Sequence, residues 1–211
     1  MQTLIEIAQK KENNTDKLTH NFLPTYESCF SAIRESTTNV LELGVFEGKS
    51  LRMWRDYFHN AHIYGVDIKK NLMFSEERIS THCFGQDQIY AWENFFGGNE
   101  KGLQFDLILD DASHVMEHQQ RSLGYLFPKV KKGGYYVVED LHTSGRLRFG
   151  CHNKIQSTKR MLRGFEDGFP LQSEFIPQHQ LEYLSENIEY CKVFDTRRKG
   201  KSSTSIIKKK D

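Results

Sequence analysis

The sequence lacks the features that would place a chain of 211 residues in a disulfide-rich, zinc-binding or membrane class. Its cysteines are widely spaced and form no C-x-x-C pair, so we expect reduced thiols rather than a disulfide framework or a zinc knuckle. No apolar run approaches the roughly 18 residues that a membrane-spanning helix needs, and the first residues do not form a secretory signal. These absences predict a cytoplasmic protein that makes no contact with a membrane. The cysteines are Cys29, Cys83, Cys151 and Cys191.

The chain also lacks a strong charge of either sign, because 29 basic and 28 acidic side chains leave a formal net charge of +1. This balance argues against a nucleic-acid partner, although TRRKGKSS (196–203) and KKKD (208–211) are locally basic. We interpret these two stretches as a solvated hairpin tip and tail. A nucleic-acid-binding module is the alternative, and it predicts an affinity that falls steeply with salt.

Short apolar runs alternate with helical stretches over most of the chain. NVLELGV (39–45) and HIYGVDI (62–68) are strand-like and flank SLRMWRDYF (50–58), whose apolar residues recur at helical spacing. This alternation predicts an α/β fold with a parallel, right-handed doubly wound sheet. The pattern continues with the strands HCFG (82–85), FDLILDD (105–111) and YYVVED (135–140), a helix over 114–128 and a KKGG turn at 131–134.

The two ends of the chain depart from this alternation. IEYCKVFD (188–195) and STSIIKKK (203–210) are strand-like and are joined by a seven-residue polar loop that contains Gly200. They predict a β-hairpin that places one antiparallel strand at the edge of the sheet. Residues 1–35 have a helical pattern and precede the first strand, so we expect a lid or flank there. Residues 36–211 would then form one domain.

The stretch VLELGVFEGKS (40–50) nearly matches a phosphate-binding loop, but its G-x-x-x-G-K-S spacing is one residue short. Glu42 and Glu47 bracket the turn and would repel a pyrophosphate. Asp67 ends the next strand, where a carboxylate suits the ribose hydroxyls of an adenosine ligand. The glycine turn between two acidic strand ends therefore favours an adenosyl ligand without phosphates, S-adenosylmethionine (SAM). The alternative is that the glycines only permit a tight turn.

Four carboxylates follow two successive strands of the predicted sheet. Asp110 and Asp111 end one strand, and Glu139 and Asp140 end the next. If these strands are neighbours, Asp111, Glu139 and Asp140 converge on the rim that holds the adenosyl ligand, where three crowded carboxylates would repel each other unless a cation joins them. An all-oxygen cluster selects a hard ion such as magnesium, manganese or calcium. His114 lies three residues after Asp111. It is the expected general base, because an imidazole beside a metal is suited to take a proton from a reacting hydroxyl.

The other interpretations of these histidines are less favoured. His114 and His118 have the H-x-x-x-H spacing of a zinc site, but Val115 stands where the H-E-x-x-H motif has glutamate. His142, two residues after Asp140, is a further candidate for the same chemistry. A purely structural role for His114 at the start of its helix also remains open.

These residues resemble a known family, the metal-dependent SAM O-methyltransferases of the macrocin and mycinamicin type, which methylate sugar hydroxyls. The resemblance covers roughly residues 15–210, and its most specific part is DDASH followed by GGYYVVEDLHTS. It implies a Rossmann-like, seven-stranded class I methyltransferase sheet with the terminal hairpin supplying the last strands. Ala112 departs from the glycine that often follows the two aspartates. The other matching stretches are TDKLTHNFLPTYE (15–27), LELGVFEGKS (41–50) and GVDI (65–68).

The resemblance also implies roles for individual residues. Asp67 would hold the ribose, Glu42 and Gly44 would line the methionine end, and Lys17 and His20 would close over the cofactor. The metal ligands for magnesium or manganese would be Asp111, Glu139 and Asp140, and the general base would be His114. The residues expected to contact SAM are Lys17, His20, Glu42, Gly44, Gly48, Ser50, Asp67, Ile68, Asp87 and Asp110.

The implied reaction is methyl transfer from SAM to a hydroxyl of a deoxysugar in a glycan or glycosylated natural product. The acceptor would be a sugar or glycoside, with neither nucleic acid nor membrane as partner, and homo-oligomerisation is left open. A catechol-type O-methyltransferase and a non-catalytic SAM-binding module are the alternatives. The macrolide-modifying members carry an additional amino-terminal region, so we also interpret this chain as a module of a larger glycan-building enzyme.

Overall fold

The computed structural model shows an eight-stranded sheet with helices on both faces, and it describes residues 1–98, 100–150, 156–196 and 202–211. The strands are β1 (Asn39–Leu43), β2 (His62–Asp67), β3 (Ser75–Glu76), β4 (Ile79–Cys83), β5 (Phe105–Asp110), β6 (Val130–Val138), β7 (Ile188–Asp195) and β8 (Ser203–Lys209). The α-helices are α1 (Leu4–Ala8), α2 (Leu23–Phe30), α3 (Lys49–Tyr57), α4 (Ile89–Gly97), α5 (Met116–Leu126), α6 (Thr158–Glu166) and α7 (Gln178–Asn187).

The sheet has the strand order β3-β4-β2-β1-β5-β6-β8-β7. Five central strands run parallel, with β1 paired to both β2 and β5, so their carboxyl ends meet along one edge. The chain moves outward from β1 to β4 and then returns to β5 on the other side. This reversal creates a switch point between β1 and β5, which is where ligands bind in open α/β sheets. The predicted doubly wound sheet is confirmed.

Apolar side chains cover both faces of the sheet in two clusters. On one face, Trp54 of α3 packs against Tyr26 and Phe30 of α2. On the other face, Trp92 and Phe95 of α4 pack edge-to-face and join side chains of α5, α6 and α7. Because both faces are covered, the central strands are apolar along most of their length.

The amino-terminal residues pack on the same face as α3. A capping box starts α1, since Thr3 and Glu6 exchange backbone-to-side-chain hydrogen bonds. Farther along, Nδ2 of Asn13 donates to Oδ2 of Asp56 in α3 at 2.9 Å. These contacts attach the segment to the main core, while its role as a lid or flank stays a prediction.

The terminal hairpin differs from the expectation in its order. β8 is antiparallel to both of its neighbours and lies between β6 and β7, so the antiparallel strand is second from the edge. Ile206 and Ile207 of β8 are adjacent in sequence and both fully buried, as a strand covered on both faces requires. The edge strand β7 alternates between buried and exposed positions instead. The loop residues 197–201, including Gly200, lie outside the described residues, as does Cys151.

Smaller differences concern the strand count and one turn. The two-residue strand β3 pairs antiparallel with β4 and raises the expected seven strands to eight. The KKGG sequence lies inside β6, where a register shift opposite Phe105 and Leu107 and a φ of 71° at Gly133 mark a bulge. Cys29, Cys83 and Cys191 have free thiols. Among the helices in the described ranges, none has the length and apolarity to cross a membrane.

Candidate active site

A cavity of about 740 Å³ opens at the carboxyl ends of β1, β2 and β5, beside the switch point. Its volume is typical of a site for a small organic ligand. The walls come from five segments that are far apart in sequence. They are Asn14, Thr15, Asp16 and Thr19; residues 44–47 with Lys49 and Ser50; residues 66–69 with Leu72; residues 84–87; and residues 111–114 with His118.

The loop after β1 brings its backbone close to the loop after β5. Gly44 has a φ of 98°, and a Cβ at this position would lie 2.3 Å from the carbonyl oxygen of Asp111. Its N–H donates to the carbonyl oxygen of Val66 at 2.7 Å. Only glycine fits this left-handed, crowded position, which explains the first glycine of the motif. Gly48 has a φ of 71° at the start of α3, but it does not line the cavity.

Asp67 stabilises the same loop from the end of β2. Its Oδ2 accepts hydrogen bonds from the backbone N–H groups of Val45 and Phe46, and its Oδ1 accepts one from Lys69. The carboxylate is thus fixed in the cavity wall. Ile68 beside it is 66% exposed and lines the same cavity.

Half of the residues expected to contact the cofactor line the cavity, and the other half do not. Those in the wall are Gly44, Ser50, Asp67, Ile68 and Asp87. Those that do not line it are Lys17, His20, Glu42, Gly48 and Asp110, three of which are fully buried by their own neighbours (Lys17, Glu42 and Asp110). For these five, direct contact with SAM stays a prediction.

Asp110 is held by a residue that the sequence did not single out. Nε2 of Gln86 lies 3.0 Å from each carboxylate oxygen of Asp110, and Oε1 of Gln86 accepts from the backbone N–H of Ser113. Burial raises the pKa of Asp110 to about 7. Gln86 therefore ties the loop after β4 to the loop after β5. No sequence motif marks this role, because it depends on two loops meeting across the cavity.

Lys17 places a positive charge among the carboxylates, a role for which the sequence had suggested only a metal ion. Its Nζ lies 2.6 Å from Asp111, 2.9 Å from Glu139 and 3.0 Å from Glu42, and its side chain is fully buried. Burial would lower the pKa of Lys17, but the three carboxylates raise it well above its usual value. Burial also raises the pKa of Glu42 and of Glu139. The premise that only a metal stabilises this cluster was therefore wrong.

Asp111, His114 and Asp140 form a group of candidate metal donors. One ligand atom of each residue lies within 4.8 Å of the other two. Nε2 of His114 is 3.6 Å from Oδ2 of Asp140. Glu139, the third expected ligand, is adjacent to Asp140 but places Oε1 on Lys17.

Two more histidines surround Asp140. Nδ1 of His142 lies 3.6 Å and Nδ1 of His20 lies 3.8 Å from Oδ1 of Asp140, and the hydroxyl group of Ser202 is 2.8 Å from the same His20 nitrogen. Burial raises the pKa of Asp140 and lowers that of His142. His20 thus belongs to the surroundings of Asp140 and not to the cavity.

The charges of this centre fit a divalent cation. Within the described part of the chain, Lys17 is the single ammonium group paired with Glu42, Asp111 and Glu139, and Asp140 adds a fourth carboxyl group. Protons or a cation must balance the remaining negative charge. Carboxylate oxygens of Asp111 and Asp140 are donors that magnesium and manganese prefer.

His118 faces away from this centre. Its Nδ1 lies 3.0 Å from the hydroxyl group of Ser113, and its Nε2 lies 3.7 Å from Asp87 at the other end of the cavity. The H-x-x-x-H pair therefore does not converge as a zinc site would require.

Comparison with known proteins places this geometry among methyltransferases. No protein-family model matches the chain. It is 41% identical over 145 residues to the 8-demethyl-8-(2-methoxy-alpha-L-rhamnosyl)-tetracenomycin-C 3'-O-methyltransferase of Streptomyces olivaceus, covering 65% of this chain and 36% of that protein. Against the demethylmacrocin O-methyltransferase of Streptomyces fradiae the identity is 37% over 138 residues, covering 62% and 34%.

A solved structure extends the similarity to nearly the whole chain. MycE methyltransferase from the mycinamycin biosynthetic pathway, in complex with Mg and S-adenosylhomocysteine (SAH), superposes with a TM-score of 0.78 and 28% identity. The match covers 99% of this chain and 55% of MycE. The chain has the class I methyltransferase fold.

The curated relatives of this chain are named O-methyltransferases, and the name of the first includes a rhamnosyl group, in agreement with the resemblance. The chain spans about a third of the length of these relatives and just over half of MycE. The part shared with MycE, 99% of this chain, contains the cavity and the carboxylate centre described above.

Proposed function

We propose that this chain transfers a methyl group from SAM to a sugar hydroxyl and that it depends on a divalent cation. The observation that carries the proposal is the adenosyl-sized cavity that ends at Asp111 and His114, with Asp140 beside them. The cavity offers a place for the methyl donor, and the acid–histidine centre offers a place for the acceptor. The sugar O-methyltransferase relatives support the choice of reaction.

SAM would lie with its ribose against Asp67, whose carboxylate is already oriented by the backbone of the first loop. Ile68 and Asp87 would face the adenine ring. The close approach of Gly44 to Asp111 would leave the methionine end next to the carboxylate centre. This placement directs the sulfonium methyl towards the side of the cavity that contains His114.

Asp111 and Asp140 would hold magnesium or manganese, with Glu139 joining them through the oxygen that does not pair with Lys17. When bound, the cation would orient two neighbouring oxygens of the sugar and lower the pKa of the reacting hydroxyl. MycE, which was crystallised with Mg and SAH, supports this cofactor pair.

His114 would act as the general base at Nε2, the ring nitrogen that faces Asp140. As the sugar oxygen attacks the methyl carbon, the carbon–sulfur bond breaks and its electron pair stays on sulfur. The hydroxyl proton passes to His114, and the products are the methyl ether and SAH. Fixing the hydroxyl in line with the methyl group accounts for most of the rate, because the sulfonium is already a good leaving group.

Isothermal titration calorimetry with SAH, with and without Mg²⁺, tests this proposal before any acceptor is known. We expect micromolar SAH binding, and an Asp67→Asn variant that binds SAH about 10- to 150-fold more weakly, since charge-assisted hydrogen bonds contribute about 1.5–3 kcal/mol. If the wild-type protein binds no SAH, the loop after β1 would instead be interpreted as a dinucleotide- or phosphate-binding loop. If SAH binds, a panel of rhamnosides and catechols then distinguishes sugar from catechol methylation.

A further inference from the structure

Lys17 lies at the junction of three elements of the site. Its ammonium group contacts Glu42 of β1, Asp111 after β5 and Glu139 after β6, all within 3.0 Å. Its side chain has no solvent exposure. Removing an ammonium group from water costs several kcal/mol, and this cost is offset only when the geometry of its ion pairs is good.

Asp111 contacts both Lys17 and the candidate metal-binding group. Its Oδ2 pairs with Lys17 at 2.6 Å, while the residue also lines the cavity and belongs to the donor group with His114 and Asp140. The contact with Lys17 therefore fixes the rotation of the Asp111 carboxylate and with it the direction of the donor oxygen. A residue that holds a metal-binding carboxylate in a fixed orientation increases the affinity of the site for the metal.

The segment around Lys17 also forms part of the cavity. Asn14, Thr15, Asp16 and Thr19 line it from the amino-terminal side, although Lys17 itself points below the wall. The backbone N–H of Phe22 donates to the carbonyl oxygen of Lys17 at 3.1 Å, which closes the segment into a compact turn. The ion pairs of Lys17 thus anchor a cofactor wall to the carboxylate centre.

We propose that Lys17 is a positioning residue that orients Asp111 and Glu139 for the divalent cation and couples this centre to the wall formed by residues 14–19. The inference rests on the proposed function, because it concerns the same cofactor and cation. It assigns to Lys17 a role behind the wall instead of direct contact with SAM. Residues 14–19, which precede the sheet, would then contribute directly to cofactor and cation binding.

Lys209 provides a matched control, since it is a second buried lysine with a purely structural setting. Its Nζ donates to the carbonyl oxygens of Phe127 and Pro128, in the turn between α5 and β6, and of Val130 at the start of β6. Both Lys17→Met and Lys209→Met remove a buried charge with little change in side-chain length. Both variants should lower the melting temperature, so a loss of stability alone does not distinguish them.

The measurement is calorimetric titration of Mg²⁺ and, separately, of SAH into wild type, Lys17→Met and Lys209→Met. We expect Lys17→Met to bind Mg²⁺ about 10- to 100-fold more weakly, the usual effect of removing the partner of a metal ligand. It should also bind SAH more weakly without metal, because residues 14–19 lose their anchor. Lys209→Met should bind both as wild type does.

Unchanged or tighter Mg²⁺ binding by Lys17→Met would overturn the inference, because Lys17 would then only compete with the cation. Equal weakening in both variants would overturn it too, by showing a general effect of stability. If Lys17→Met has no cooperative melting transition, Lys17→Arg replaces it, and an unchanged Mg²⁺ affinity there counts against the proposal. A wild-type protein that binds neither ligand would instead overturn the proposed function itself.

Discussion

Nε2 of His114 lies 3.6 Å from Oδ2 of Asp140, and both residues have left-handed backbones, with φ values of 57° and 55°. Such conformations cost non-glycine residues on the order of 1–3 kcal/mol each and concentrate at functional sites. The hydroxyl group of Thr143 lies 2.8 Å from the carbonyl oxygen of Asp140 and 3.3 Å from that of His114. One side chain therefore ties the two strained turns together and fixes the separation of the imidazole and the carboxylate.

His114→Ala should lower turnover by about 100-fold or more, the usual contribution of a general base. The expected reason is loss of the proton acceptor at Nε2, with the methyl donor still bound. Steady-state kinetics with an accepted glycoside measures the effect. His59→Ala is the control, since His59 is exposed just beyond α3 and pairs with Glu35, and neither residue lines the cavity. Wild-type turnover in His114→Ala would contradict the assignment of His114 as the general base.

Asp140→Asn should raise the Mg²⁺ concentration needed for half-maximal activity by at least about tenfold, as expected when a ligand charge is lost. Asparagine adopts left-handed backbone conformations readily, so the φ of 55° is retained without added strain. Magnesium titration of the chelator-treated protein checks this prediction, with the melting temperature as evidence of folding. Full activity of chelator-treated wild type would contradict the metal requirement.

Gly44→Ala should destabilise the protein by more than about 1 kcal/mol and abolish SAH binding, because the new Cβ would collide with the carbonyl oxygen of Asp111. Gly164→Ala is the matched control, since nothing lies within 4 Å of a Cβ at this position in α6. Alanine is the better helix former, so this control should stabilise the protein by about 0.5–1 kcal/mol. Chemical denaturation and SAH titration of both variants measure the contrast. Normal SAH binding by Gly44→Ala would show that the loop can move away.

Asp56 should make the attachment of the amino-terminal segment dependent on pH. Burial would raise the pKa of Asp56, but hydrogen bonds from Asn13 and Arg55 lower it below the usual 3.8. Its stabilising effect is therefore complete above pH 3.8 and is lost as the pH falls through the lowered value. Asp56→Ala should thus be less stable than wild type at pH 7, by less than about 1 kcal/mol for a partly exposed carboxylate, and the gap should close in acid.

Chemical denaturation at pH 7 and below pH 3 measures this gap. Glu12→Ala provides the control, because Glu12 is an exposed carboxyl group in the same segment. A difference between Asp56→Ala and wild type that is the same at both pH values would argue against the carboxylate as its source.

Local patterns sufficed to predict the central strands and the rim on which the carboxylates meet. Asp111 and Asp140 each follow a buried parallel strand, and parallel strands necessarily end on one edge. The position of β8 was not predictable in this way. Whether the first or second strand of a terminal hairpin pairs with the sheet depends on the packing of both faces, and Ile206 and Ile207 become informative only once those faces are known.

The supporting residues of the site were harder to predict for the same physical reason. Lys17 and Asp111 are 94 residues apart, and no spacing rule connects an amino-terminal lysine with a strand end. Gln86 bridges Asp110 and Ser113 through contacts between loops. Both roles arise from tertiary structure, whereas Gly44 and Asp67 belong to a continuous strand–loop–helix–strand unit whose geometry the sequence does encode.

Transfer of an isotopically labelled methyl group from SAM to a rhamnoside, with Mg²⁺ and after chelation, tests the central claim most directly. The account predicts a methylated glycoside in the presence of Mg²⁺, little product after chelation, and no comparable product from catechol. Methylation of catechol in preference to every glycoside would contradict the sugar assignment. Product formation that is unaffected by chelation would contradict the role given to Asp111 and Asp140.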